Sequence, residues 1–184
     1  MTKAGNGSMV LSGTNTCTGV TTLSAGTLSV GSIGNGGVSG NLGAASSAAA
    51  NLVFDGGTLQ STGTTAGTNR NFTINAGETR PFDITTNTLT VSGASTATNG
   101  ALTKTGAGTL TLSGANLSTG ATTIHAGMLK VENDGTTTFG RGDGAGSVRP
   151  RGLARAAEIA VRTASRTQSA PLVGQAPQPE RCSW

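Results

Sequence analysis

Aromatic residues are almost absent: the 184-residue chain has no tyrosine, one tryptophan and four phenylalanines. A wide core needs more bulk than this, so an ordinary globular domain is disfavoured and a thin-cored repeat architecture is not. Charge is also scarce, at 11% of residues, which sets the chain apart from disordered segments of high net charge. There is a single histidine, His125, with no Cys or carboxylate at metal spacing nearby, and one histidine by itself makes neither a triad nor a zinc site. The two cysteines, Cys17 and Cys182, give no disulfide framework. No apolar run reaches the ~18 residues of a membrane helix, and the polar start Met1-Thr2-Lys3-Ala4-Gly5-Asn6-Gly7 does not read as a secretory signal.

What is present is glycine, 30 residues of it, together with threonine, and both recur in order. Residues 103 to 132 laid on residues 2 to 31 keep Thr2/Thr103, Lys3/Lys104, Gly5/Gly106, Gly7/Gly108, Leu11/Leu112, Asn15/Asn116, Gly26/Gly127, Leu28/Leu129 and Val30/Val131 without a gap. Self-similarity of this kind marks stacked repeats. Within each copy apolar residues alternate with polar ones, as in Thr109-Leu110-Thr111-Leu112 and Met128-Leu129-Lys130-Val131, the pattern of half-buried strands. Glycine or asparagine stands wherever the chain must turn. Strands are expected near 108–113, 121–125 and 127–132, read together as one turn of a parallel β-helix, with the same three near 7–12, 20–24 and 26–31. Asn15 and Asn116 are expected to satisfy backbone groups in turns.

The middle keeps this grammar. Residues 51–60, 71–75, 81–84 and 88–93 read as strands and turns, and residues 31–50, rich in Gly, Ser and Ala, as a looser excursion. After Phe139 it stops. Residues 1–140 balance in charge, whereas the tail carries Arg141, Arg149, Arg151, Arg155, Arg162, Arg166 and Arg181 against Asp143, Glu158 and Glu180, the whole net +4. We therefore divide the chain into a repeat region, 1–139, and a basic low-complexity tail, 140–184, disordered apart from a short helix at 152–166. The arginines are neither clustered nor interleaved with aromatics, so nucleic-acid binding is not expected. The Arg-, Ala- and Pro-rich tail resembles an out-of-frame translation, and Met1 falls on the repeat position of Leu102. On both grounds the chain reads as a piece of a longer gene, truncated or frameshifted.

The run Lys104-Thr105-Gly106-Ala107-Gly108-Thr109-Leu110-Thr111-Leu112-Ser113-Gly114-Ala115-Asn116, followed by Thr122-Thr123-Ile124 and Ala126-Gly127-Met128-Leu129-Lys130-Val131, resembles the autotransporter-associated β-strand repeat of type V secreted passengers. Phe54-Asp55-Gly56-Gly57-Thr58-Leu59 with Arg70-Asn71-Phe72-Thr73-Ile74 is similar to its companion segment. The resemblance implies an all-β, right-handed parallel β-helix exposed on or secreted from a Gram-negative cell. It also implies a non-enzymatic stalk or adhesin segment whose partners are host or neighbouring-cell surface molecules. Exposed ladder ends add an expectation of end-to-end self-association.

No catalytic, metal-binding or cofactor-binding residue is assigned. His125 aligns with Ser24 and is expected to face solvent. Asp55, Glu78 and Asp83 are the acids that a carbohydrate-active β-helix enzyme, the alternative function, would have to bring together. Gly106-Ala107-Gly108 lacks the Lys-Ser/Thr of a phosphate loop. Arg141-Gly142-Asp143 matches an integrin-recognition tripeptide that is common by chance. The pairs Thr88/Thr90 and Thr109/Thr111 resemble threonine-faced solenoids, but in sequence they recur irregularly, and strand propensity accounts for them.

Overall fold

Alternation and turn glycines produce strands too short to stand alone, so each must pair with the copy of itself one turn away. The computed structural model describes residues 1–64, 66–132 and the backbone of 157–160, and shows an all-β parallel solenoid with three faces. The first face stacks β1 (Thr2–Lys3), β3 (Thr21–Leu23), β5 (Leu52–Phe54) and β8 (Thr73–Ile74). The second stacks β2 (Ser8–Leu11), β4 (Thr27–Val30), β6 (Thr58–Ser61), β9 (Thr79–Ile84), β11 (Ala101–Thr105) and β13 (Thr122–Ile124). The third stacks β7 (Ala66–Thr68), β10 (Thr88–Val91), β12 (Thr109–Leu112) and β14 (Met128–Val131). These ladders are parallel, and β15 (Ala157–Ala160) adds antiparallel to the outer edge of β14.

The sequence reading needs four corrections. β14 lies directly on β12, with Thr109 opposite Met128 and Leu112 opposite Val131, so the third expected strand opens the next turn and does not close the same one. A turn is therefore ~20 residues, at the short end for such repeats. The threonine pairs are in register on two adjacent turns, Thr88 opposite Thr109 and Thr90 opposite Thr111, although the next turns place Met128 and Lys130 on one side and Gly67 on the other, so no threonine face longer than two turns forms. Ala157–Ala160 is strand where a helix over 152–166 was expected. An isolated helix of that length is marginal in water, whereas the edge of β14 offers unpaired backbone groups. The excursion at 31–50 is the fourth, taken up with the site below. Residues 133–156 and 161–184, and with them the rest of the expected tail, lie outside the described residues.

The two sequence repeats do not sit on the same faces. Lys3 lies in β1 on the first face, but its equivalent Lys104 lies in β11 on the second. β2 and its equivalent β12 are likewise offset, from the second face to the third. Between the copies, β5-β6-β7 and β8-β9-β10 form turns of three strands each, and the two-strand pattern then resumes one face further round. Each repeat's Ser-Gly-x-Asn linker consequently leaves the rod on a different side.

Inside, Leu28, Leu59 and Phe82 stack in register on the second face and Leu89, Leu110 and Leu129 on the third, in one buried core that also takes Leu102. Each such burial contributes ~1.5–3 kcal/mol before entropy is subtracted. Phe54, Phe72 and Phe82 meet at its middle, with ring centroids 4.9 to 5.9 Å apart, two of the three contacts edge-on. Few other large side chains are available to fill a gap there. Phe82→Ala is expected to cost ~3–5 kcal/mol, read as a lowered urea midpoint. A loss below ~1 kcal/mol would mean that this cluster does not anchor the rod.

Candidate functional site

Where the chain leaves β4 it makes the longest detour among the described residues before re-entering at β5, residues 31–51, closing with one 3-10 turn (Ala49–Asn51). It is well ordered against the rod. Ile33, Leu42 and Ala45 are buried, and several of the polar backbone groups between them are hydrogen-bonded. The reason is Arg70, only 2% exposed. Its Nε donates to Gly34 O (3.3 Å), Nη1 to Ala45 O (3.0 Å), and Nη2 to Asn35 O (3.3 Å) and Gly43 O (2.6 Å). A planar fork of five donors suits four converging carbonyls as no other side chain does. Burial lowers the guanidinium pKa from its ordinary value.

Amides complete the fastening. Asn69 Oδ1 accepts from Gly36 N (2.8 Å) while Asn35 Oδ1 accepts from Asn69 N (3.0 Å). Asn41 donates to Gly13 O (2.9 Å) and accepts from Ser32 N (2.8 Å), and Asn15 donates to Asn41 O (2.9 Å). Asn15 and Gly40 also exchange backbone hydrogen bonds. The excursion is thus tied both to β7's turn and to the linker 12–20. At its tip, residues 37–39 are exposed, with Gly37 at φ 80° and Val38 58% exposed. Between it and the linker opens a groove of about 100 Å³ lined by Met1, Leu11, Cys17, Asn41, Leu42 and Gly43. Its walls are largely apolar with amide edges, a shape for a short side chain or peptide segment.

The residues singled out from sequence lie elsewhere. His125 is exposed at the end of β13, its backbone N bonded to Lys104 O (2.9 Å). Asp55 accepts from Asn75 Nδ2 (2.7 Å) and Asp83 from Gln60 Nε2 (2.7 Å), so each of these acids is held by an amide of a neighbouring turn. Glu78 immediately precedes β9. Among the described residues no group of three or more His, Cys, Asp or Glu could hold a metal ion. Asn116 is buried and accepts from Ser95 Oγ (2.6 Å), a side-chain partner in place of the backbone one expected, whereas Asn15 meets backbone at Asn41 O. Arg141-Gly142-Asp143 lies outside the described residues.

Sequence reasoning passed over the two lysines of the repeat, whose side chains are buried. Lys3 Nζ donates to Ala4 O (3.0 Å), Gly5 O (2.8 Å) and, one turn on, Ala25 O (3.1 Å). Lys104 Nζ does the same with Thr105 O, Gly106 O (2.8 Å) and Ala126 O (3.3 Å). Gly5 and Gly106 have positive φ, 74° and 72°. A Cβ on Gly127 would strike Gly106 O and Gly108 O. The spaced Lys-x-Gly-x-Gly and Ala-Gly of each copy are therefore one device, an ammonium clamping two successive turns.

The repeat itself is matched by the pattern of the passenger-associated-transport-repeat family, at residues 1–30 and 102–131. The adhesin BmaC autotransporter of Brucella suis biovar 1 (strain 1330) is 44% identical over 135 residues, 71% of this chain. The chain spans about 4% of the length of that relative. No solved structure matches it.

Proposed function

The chain belongs to the passenger-repeat family of autotransporters, and from that premise we propose that it is a stretch of surface-displayed adhesive rod, with the excursion 31–51 as the element that meets a partner. The observation that carries this reading is Arg70. A buried arginine that gives four hydrogen bonds to the carbonyls of one lateral loop holds that loop in one shape, and pre-ordered loops on rigid scaffolds are where binding surfaces concentrate. Localisation at the cell surface or in the medium of a Gram-negative bacterium is consistent with the adhesin relative. The partners proposed are molecules of a host or neighbouring-cell surface.

The test is binding of the labelled full chain to cultured epithelial cells and to like bacterial cells. Saturable binding is expected. Replacing the tip residue Val38 by glutamate should weaken it about tenfold, equivalent to ~1.4 kcal/mol, with an unchanged circular dichroism spectrum. Binding indifferent to this change would move the contact to the rod itself. Absence of binding to either cell type would reduce the segment to a spacer.

A further inference from the structure

We infer that Asn99, at the corner leading into β11, is a site of spontaneous modification: its side chain closes on Gly100 N and converts to aspartate and isoaspartate, while the same pair at Asn35-Gly36 is held back by the fold. Three asparagines precede glycine, Asn6, Asn35 and Asn99, and glycine gives the attacking nitrogen the least steric cover. Asn6 lies in the first turn, and the two interior pairs carry the contrast. Asn35 and Asn99 are both exposed, so access to water does not tell them apart. Each has its Oδ1 accepting one backbone N–H, from Asn69 (3.0 Å) and Gly77 (2.9 Å) respectively, so polarisation of the amide carbonyl does not either.

What differs is the freedom to cyclise. Bringing Cγ onto the next nitrogen requires rotation about the Cα–C bond, which swings the asparagine carbonyl one way and the following N–H the other. At Asn35 both are pinned. Its carbonyl accepts from two donors, Val38 N (3.3 Å) and the charged Arg70 Nη2 (3.3 Å), and Gly36 N donates to Asn69 Oδ1 (2.8 Å). At Asn99 the carbonyl has no hydrogen-bond partner among the described residues. Gly100 N reaches only the Thr98 hydroxyl, at 3.3 Å, a long contact that is given up at little cost.

The reaction balances with water alone. Gly100 N gives its proton to solvent base and bonds to Asn99 Cγ, the Cγ–Nδ2 bond breaks, and the amide nitrogen takes up a proton and leaves as ammonia. Water then opens the five-membered imide at one carbonyl or the other, giving aspartate or isoaspartate. The isoaspartyl form puts an extra methylene into the backbone just before β11. Gly100 has no slack to absorb it, since even a Cβ there would strike Ile74 Cγ2 and Asn75 O. The strain falls on Ala101 N, which bonds to Glu78 O (2.8 Å) where the ladder to β9 begins. Conversion is one-way, so it accumulates with the age of the rod.

The test is incubation of the full chain in mildly alkaline buffer, folded and in parallel unfolded in urea, with each asparagine followed by mass spectrometry of its peptides and fragmentation that separates aspartate from isoaspartate. In the folded chain Asn99 is expected to convert at least about tenfold faster than Asn35. In urea the two rates should converge, because each is then a bare Asn-Gly pair. Arg70→Met, which takes one donor from the Asn35 carbonyl, should speed conversion of Asn35 and leave Asn99 as it was. Equal rates in the folded chain, Asn35 the faster of the two, a difference that survives undiminished in urea, or Arg70→Met without effect on Asn35 would each overturn the proposal.

Discussion

Replacing Arg70 by methionine is expected to release residues 31–51 from the rod while leaving the later turns folded. Methionine has about the right length and no donors, so Gly34, Asn35, Gly43 and Ala45 would lose the hydrogen-bond partner that Arg70 gives their carbonyls. Each buried acceptor left bare costs ~1–3 kcal/mol. Gly34 O keeps the Thr68 hydroxyl, Asn35 O keeps Val38 N and Ala45 O keeps Gly37 N, so the bare acceptor is Gly43 O; with the charged donor of all four removed, a net loss of ~3–5 kcal/mol is expected, similar to breaking other buried charged networks. Amide hydrogen exchange is the measurement, because it separates local from global opening. Protection should fall at Gly37, Gly43 and Ala44, whose N–H groups are bonded inside the excursion or to the adjoining linker, and persist at β10 to β12. Arg70→Lys should recover only part, since one ammonium cannot span four carbonyls in the fork geometry. Unchanged protection in Arg70→Met would show that the asparagine ties suffice without it.

How far such a site could have been read from sequence depends on which interactions are local. Strand positions were legible because inward Leu110 and Leu112 alternate with Thr109 and Thr111 whatever lies above or below them. Corners were legible because Gly106 and Gly127 need a positive φ that other residues resist. The number of strands in a turn was not, since alternation is the same whether β14 closes one turn or opens the next. The change of face between repeats was equally hidden, as it arises from the counting of strands through residues 52–91. Residues 31–50 looked loose because Gly, Ser and Ala carry no strand pattern, and what orders them is supplied from Arg70 and Asn69, far along the chain. One signal was available: in a chain with so few charges, a lone arginine beside apolar strand residues has to be either exposed or fully partnered.

The lysine clamps raise the same question in a form that pH can answer. Lys104 is fully buried, and burial lowers its pKa to about 8 despite the opposing pull of Asp83. In the unfolded chain a lysine titrates near ~10.4. Between these values the unfolded state binds more protons than the folded one, so stability must rise with pH across that window. Below about pH 8 both states carry the charge and this contribution is flat. The full rise is at most about 3 kcal/mol by the linkage relation, large for a rod of short strands. At neutral pH the ammonium remains charged, and its three carbonyl partners from two turns offset the cost of holding it away from water. Lys104→Met should then do two things at once. It should lower the urea midpoint at pH 7, because Thr105, Gly106 and Ala126 lose that partner for their carbonyls. It should also remove the rise above pH 8, which makes the difference between the two pH profiles the quantity to read, free of contributions from the amino terminus and Cys17. Parallel profiles from pH 7 to 10.5 would show that Lys104 titrates alike folded and unfolded, and that the clamp is made by geometry alone.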